Sequence, residues 1–168
     1  MTEKEYYLIL PLLIYGIGIA ELVSSWRNFF IKERRYLPYL VASFLLLEVA
    51  FWNFYKMLHW MTDEYFKNYL SYLLMLAPPL LFLFVVAVFV PDRNKQDVNL
   101  KEYFRQKTPV IFGGLALFTS LHFLFDTESS PVPRMVAVGL LLTMAIWRKE
   151  WIIYLLLVLR VTTWFIVN

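Results

Sequence analysis

The chain contains no cysteine. That excludes disulfides, thiolate metal sites and thiol nucleophiles together. Histidine is nearly as scarce: His59 and His122 are the only 2, and neither has a neighbour at metal-ligand spacing. No Gly-rich phosphate loop and no nucleophile elbow occur. The sequence therefore offers no catalytic constellation, no metal site and no cofactor site, and a non-enzymatic role is expected. Charge is thin as well, at 17% of residues. Before the first apolar run stands only one basic residue, Lys4, and no small-residue cleavage site follows. The N-terminal segment reads as a retained span rather than a signal peptide.

What is plentiful is apolar surface. Of 168 residues, 60% are hydrophobic and 19% aromatic. A soluble domain of this size cannot hide that much, and its surface would aggregate. A bilayer removes the difficulty, because lipid solvates the outward faces. The net charge of +3 then needs no nucleic-acid partner. Basic residues gathered on one side of a membrane produce the same number.

The hydropathy pattern predicts an all-α polytopic membrane bundle, a single transmembrane domain over 1–168 with about six helical spans. They fall near 6–26, 37–60, 66–90, 110–125, 133–147 and 151–167. The last three are short for a bilayer, which implies local thinning or packing within an assembly. A five-span alternative treats 110–147 as a re-entrant hairpin plus a span.

Charge sets the orientation. Arg27, Lys32, Arg34 and Arg35 follow the first span; Arg93, Lys95, Lys101, Arg105 and Lys107 follow the third; Arg148 and Lys149 follow the fifth. The opposite loops and ends hold only Lys4, Lys56, Lys67 and Arg134. By the positive-inside bias the richer side is cytoplasmic and both termini lie outside. This suits a multi-pass protein of a bacterial inner membrane. Aromatic anchors agree, with Trp26, Tyr36, Tyr39, Trp147 and Trp151 on the inner level and Tyr6, Tyr7, Trp60, Tyr65 and Tyr69 on the outer. Rings with one polar atom prefer that depth.

The loop over 91–109 carries a pattern of its own. Asn99-x-x-Glu102 resembles a capping box. Leu100, Tyr103 and Phe104 share a face, with Lys101, Arg105 and Lys107 beside it. The expectation is a short amphipathic helix near 98–107 on the cytoplasmic membrane surface, ended by Pro109. On the other side, Ser129, Ser130, Pro131 and Pro133 mark a turn between antiparallel helices.

Charged side chains at membrane depth are costly and need partners. Glu21, Glu48 and Arg160 qualify. Glu48 and Arg160 lie about ten residues from the same end of their helices, so a rise of about 1.5 Å per residue brings them to one depth. An ion pair between them is the simplest arrangement, either as a packing clamp or as a functional ionisable site. On the second span Glu48, Trp52, Tyr55 and His59 share a face, with Asn53 and Lys56 on an adjoining strip. That stripe fits a proton or cation path, or an interhelical hydrogen-bond seam. On the first span Gly18, Glu21 and Ser25 share a face. Gly16, Ala20 and Ser24 form a small-residue row that suits close helix packing, as do Gly113, Ala116 and Ser120 on the fourth. Pro78 and Pro79 interrupt the third span, through a packing kink or a ligand-binding break. His122 and Asp126, four apart, are placed to hydrogen-bond to each other.

Several stretches together carry a resemblance. They are Gly16-Ile-Gly-Ile-Ala-Glu-Leu-Val-Ser-Ser-Trp26, Phe51-Trp-Asn-Phe-Tyr55, Ala77-Pro-Pro-Leu80, Phe89-Val-Pro-Asp92 and Leu100-Lys-Glu-Tyr-Phe104. Over about the first two thirds of the chain these resemble a group of uncharacterised small bacterial inner-membrane proteins. The resemblance implies a bacterial membrane protein and transfers no catalytic residue. Where such proteins usually carry a paired Trp late in the second span, this chain has Trp52-Asn53.

Three roles remain in competition on these residues. One is a self-associating protein that forms a small channel, pore or signal-responsive assembly, with the bilayer and further copies of itself as partners. Another is a small proton- or ion-coupled transporter with a midplane site at Glu48. The third is an accessory subunit of a larger membrane complex. An enzyme acting on lipid or isoprenoid substrates is weakest, since no carboxylates cluster.

Overall fold

The computed structural model describes residues 3–27, 35–60, 68–92, 99–125 and 131–167. They form six α-helices: α1 (Glu3–Ser25), α2 (Leu37–Trp60), α3 (Tyr69–Phe89), α4 (Leu100–Phe125), α5 (Pro131–Trp147) and α6 (Trp151–Val167). Among them α1 to α4 are each long and apolar enough to cross a membrane. The apolar helices α5 and α6 have 17 residues each. At about 1.5 Å per residue each reaches about 25 Å, short of a hydrocarbon core of about 30 Å. The chain is an all-α membrane-embedded bundle.

The helices close into a ring in the order α1, α3, α4, α5, α6, α2 and back to α1, with α2 also touching α4 across the middle. Large apolar and aromatic side chains occupy the interior. Tyr15, Phe82, Phe89, Phe104, Phe112, Leu22, Leu46 and Ile111 are among the largest fully buried side chains. Outward faces carry Leu13, Ile17, Phe44, Phe51, Leu80, Phe84, Leu117, Ile146, Val158 and Phe165, all exposed. Such surface is stable only against lipid or protein.

Glycine decides where the helices come closest. A Cβ added at Gly18 of α1 would stand 2.7 Å from the Phe82 ring, and one at Gly114 of α4 would stand 2.6 Å from Val85 Cγ2. Both neighbours belong to α3, which is clasped between the two glycines. The row Gly16, Ala20 and Ser24, expected as a packing seam, is exposed instead, and nothing lies within 4 Å of a Cβ at Gly16. The reason is that α1 is apolar all round, so spacing alone does not say which face meets α3. In α4, Gly113 is likewise open while Ala116 is buried.

Pro78 and Pro79 are buried inside a helix that runs unbroken from Tyr69 to Phe89. The stretch starts on Asn68, whose Oδ1 accepts from the Ser71 N–H at 2.8 Å, a side-chain cap.

The expected surface helix needs correction. Asn99 does start a helix, its Oδ1 accepting from the Glu102 N–H at 3.3 Å. That helix is α4 itself, which continues through Pro109 to Phe125. Its apolar face turns into the bundle: Leu100 and Phe104 are buried. Phe104 meets the rings of Tyr36, Tyr39, Phe89 and Phe112 at 5.9–6.1 Å. Tyr39 and Phe89 stack at 4.3 Å, and the Tyr103 hydroxyl donates to Val88 O at 2.7 Å. An internal proline costs about 3 kcal/mol. Burying Leu100 and Phe104 returns about 1.5–3 kcal/mol each, which outweighs it. The aromatic pocket that receives them comes from distant segments, so the local pattern suggested the membrane surface instead.

Around that aromatic cluster gather the basic residues Arg27, Arg35, Lys101, Arg105, Lys107, Arg148 and Lys149, all exposed. They define a basic end of the bundle. Tyr36 lies among them, and burial, reinforced by the neighbouring Glu150, pushes its hydroxyl pKa up. Lys32, Arg34, Arg93 and Lys95, the turn at Ser129 and Ser130, and the anchor Tyr65 lie outside the described residues.

Candidate functional site: the polar contacts of α2

Helix α2 makes polar side-chain contacts to its neighbours on two faces. One turns to α6. There Glu48 meets Arg160 in a two-bond fork: Arg160 Nε donates to Oε2 at 2.5 Å and Nη2 donates to Oε1 at 2.6 Å. Planar guanidinium and planar carboxylate suit this geometry. Trp164 Nε1 adds a third donor to Glu48 Oε1 at 3.3 Å. The Arg160 guanidinium also lies 5.0 Å from the centre of the Trp52 ring, and Lys56 Nζ lies 5.3 Å from the same ring. The order Glu48, Trp52, Lys56 is one residue per helical turn, so all three share a single line along α2. The pair is half-buried, with side-chain exposures of 28% for Arg160 and 18% for Glu48.

The other face turns to α4. Asn53 is buried, its Nδ2 donating to Val49 O at 2.7 Å while Oδ1 meets His122 Nε2. The second ring nitrogen of His122 lies 2.8 Å from Phe118 O. Its ring packs on Phe118 at 4.6 Å, and Arg134 of α5 donates to the His122 carbonyl at 3.2 Å. A third polar contact, nearer the basic end, joins the turn after α1 to α2: Trp26 Nε1 donates to the buried Ser43 hydroxyl at 2.7 Å.

The structure thus brings Glu48, Trp52 and Arg160 together and separates Asn53 from them. Tyr55 is exposed at the outside of α2, its ring 6.4 Å from Trp52. Glu21 is half-buried on α1, where its carbonyl accepts from the Ser24 hydroxyl at 2.7 Å. The side chain of His59, and Asp126 with its expected bond to His122, lie outside the described residues. Among the described residues no three of His, Asp and Glu are grouped as a metal would need.

Two partners escaped the sequence reading. Trp164 follows Arg160 by four residues, and that helical spacing was the available signal. The Asn53–His122 contact had none, because a neutral amide carries no depth constraint that would single out its partner. Compared with family models, with curated proteins and with solved structures, the chain finds no match.

Proposed function

We propose that this chain is a self-associating, multi-pass protein of a bacterial inner membrane, a small signal-responsive assembly in which α2 is the element that responds. The observation that carries this reading is how α2 is held. Its ties to α6 and α4 run through Glu48–Arg160 and Asn53–His122. Contacts of that kind exchange partners when the field, hydration or a ligand changes, whereas interlocked apolar packing does not. The large apolar side chains buried at the centre, such as Tyr15, Phe82 and Phe112, favour a sensor over a pore through one chain; a conducting pathway would form between copies. The transporter with a midplane site at Glu48 is less favoured. Its carboxylate already accepts three hydrogen bonds, and Pro78 and Pro79 sit in a continuous, buried helix rather than an open break.

In this reading all six helices cross the membrane, α5 and α6 through a locally thinned bilayer. The basic end faces the cytoplasm and both termini face outward. Copies meet along the outward face of α1, where exposed Gly16, Ala20 and Ser24 permit close approach.

Mass in lipid nanodiscs tests self-association. Two or more copies per disc are expected, reduced to one by Gly16→Leu with Ala20→Leu. A single copy at every lipid ratio overturns the proposal. Ion flux from liposomes then separates a conducting assembly from a silent sensor. Orientation is tested by Lys107→Cys, which stays protected from an impermeant thiol reagent in intact cells; labelling there reverses the topology.

A further inference from the structure

Among the described residues, the α2–α6 face holds more positive charge than its one carboxylate neutralises. Glu48 is fully engaged by Arg160 and Trp164. Arg160 is not. A guanidinium carries five N–H groups, and two of Arg160's go to Glu48. The others meet no acceptor among the described residues. Lys56 adds a second cation over the Trp52 ring, with no carboxylate partner among the described residues. Among the described residues two cations stand against one anion, which makes this face net positive. It is also open, since Arg160 is 28% exposed and Tyr55, Trp164 and Phe165 are exposed beside it.

Hydrocarbon offers nothing to those N–H groups, and leaving them bare costs several kcal/mol. Arg160 stands seven residues before Val167, so about 10 Å of helix separates it from the end of α6 remote from the basic residues. Lys56 lies farther along α2 toward the same end. A long basic side chain reaches toward the interface over that distance, and a bilayer thinned around α5 and α6 brings the interface closer.

We propose that this face binds the phosphate of an anionic phospholipid. The unused N–H groups of Arg160 and the ammonium of Lys56 take its oxygens, and its acyl chains lie along Phe51, Tyr55, Trp164 and Phe165. Charge argues for an anion against the cation path that the polar stripe suggested, because no carboxylate among the described residues of this face is left over to receive a cation. Charge also argues against a second copy here. A two-fold contact sets the same patch against itself, and two net-positive patches repel. The site is independent of whether the chain self-associates through α1.

The test is native mass spectrometry of the intact protein from nanodiscs of equal phosphatidylglycerol and phosphatidylcholine. The wild type retains phosphatidylglycerol in preference. Lys56→Gln, outside the ion pair, lowers that preference about fivefold, the effect of one interfacial lysine. Lys107→Gln at the basic end leaves this bound lipid in place. Equal retention of the two lipids, or an unchanged preference in Lys56→Gln, overturns the site. Displacement of the lipid by millimolar inorganic phosphate would reassign it to a free anion. Efficient disulfide cross-linking of Tyr55→Cys copies, undiminished by phosphatidylglycerol, would give the face to a second copy. Either result overturns the lipid site.

Discussion

Helices α3 and α2 are both long and apolar enough to cross a membrane, and they are held in place by different chemistry. Helix α3 is clasped by fit. Phe82 fills the space over Gly18 on one side, and Val85 fills the space over Gly114 on the other. The flanking residues Val86 and Phe89 are fully buried. Helix α2 also packs Tyr39, Leu46 and Ala50 into the core, but it adds polar contacts: a charged fork to α6, a buried amide–imidazole contact to α4 and an indole–hydroxyl bond to the turn after α1. Packing contacts are many, weak and mutually dependent, so they yield together or not at all. Polar contacts in lipid are few, and each ties two particular groups. The difference teaches which helix the proposed response would use: the one whose packing is supplemented by a few polar bonds.

The largest effect follows from breaking the fork. Glu48→Leu alone leaves Arg160 unpaired at membrane depth and lowers stability by about 3 kcal/mol, the low end for a buried pair because this one is half-exposed. Glu48→Leu with Arg160→Met is milder, since no orphan charge remains. Thermal unfolding of the single and double variants in nanodiscs reads the difference; additive losses would show the two groups to be energetically uncoupled. Next comes the α3 clasp. Gly114→Val drives a Cβ into Val85 and Gly18→Ala drives one into Phe82, each expected to cost about 1–3 kcal/mol. Gly113→Ala, with open space around it, serves as the neutral comparison. A similar loss at Gly113 would mean that α4 packs by its other face.

Smaller still is the α2–α4 contact. Asn53→Leu removes an interhelical hydrogen bond, worth on average about 0.6 kcal/mol in membranes, and the melting temperature falls modestly. The smallest change is a gain. Arg148, between α5 and α6, has φ 52°, a left-handed conformation that strains any residue with a Cβ. Arg148→Gly is expected to stabilise by about 0.5–1 kcal/mol in the same thermal assay.

The parts of this molecule legible in the sequence were those set by one-dimensional rules. Helices α2 and α6 begin and end where the hydropathy runs do, at 37–60 and 151–167. Glu48 and Arg160 could be matched because charge at depth demands a partner, and helical rise makes depth countable. What was illegible depends on three-dimensional neighbours. Nothing local says that Phe104 has a pocket of rings from Tyr36, Tyr39 and Phe89 waiting for it. Nothing local distinguishes Gly18 from Gly16 on a helix that is apolar all round. Asn53 and His122, 69 positions apart, are joined by the ring topology and not by any pattern along the chain. Of the candidate site, the α6-facing half was therefore readable and the α4-facing half was not.

Electron–electron distances between paired spin labels test the contrast between α2 and α3 most directly. The chain has no cysteine, so labels attach only where cysteines are introduced. Phe51 on α2, Leu80 on α3 and Leu13 on α1 are all exposed and accept a label without disturbing the core. In nanodiscs, the wild type is expected to give narrow distributions for both the 51–80 and the 13–80 pairs. With Glu48→Gln and Asn53→Leu together, the 51–80 distribution should broaden or shift while the 13–80 distribution stays narrow. Equal broadening of both pairs, or no change in either, would contradict the claim that α2 needs its polar contacts, in addition to its packing, to hold its position.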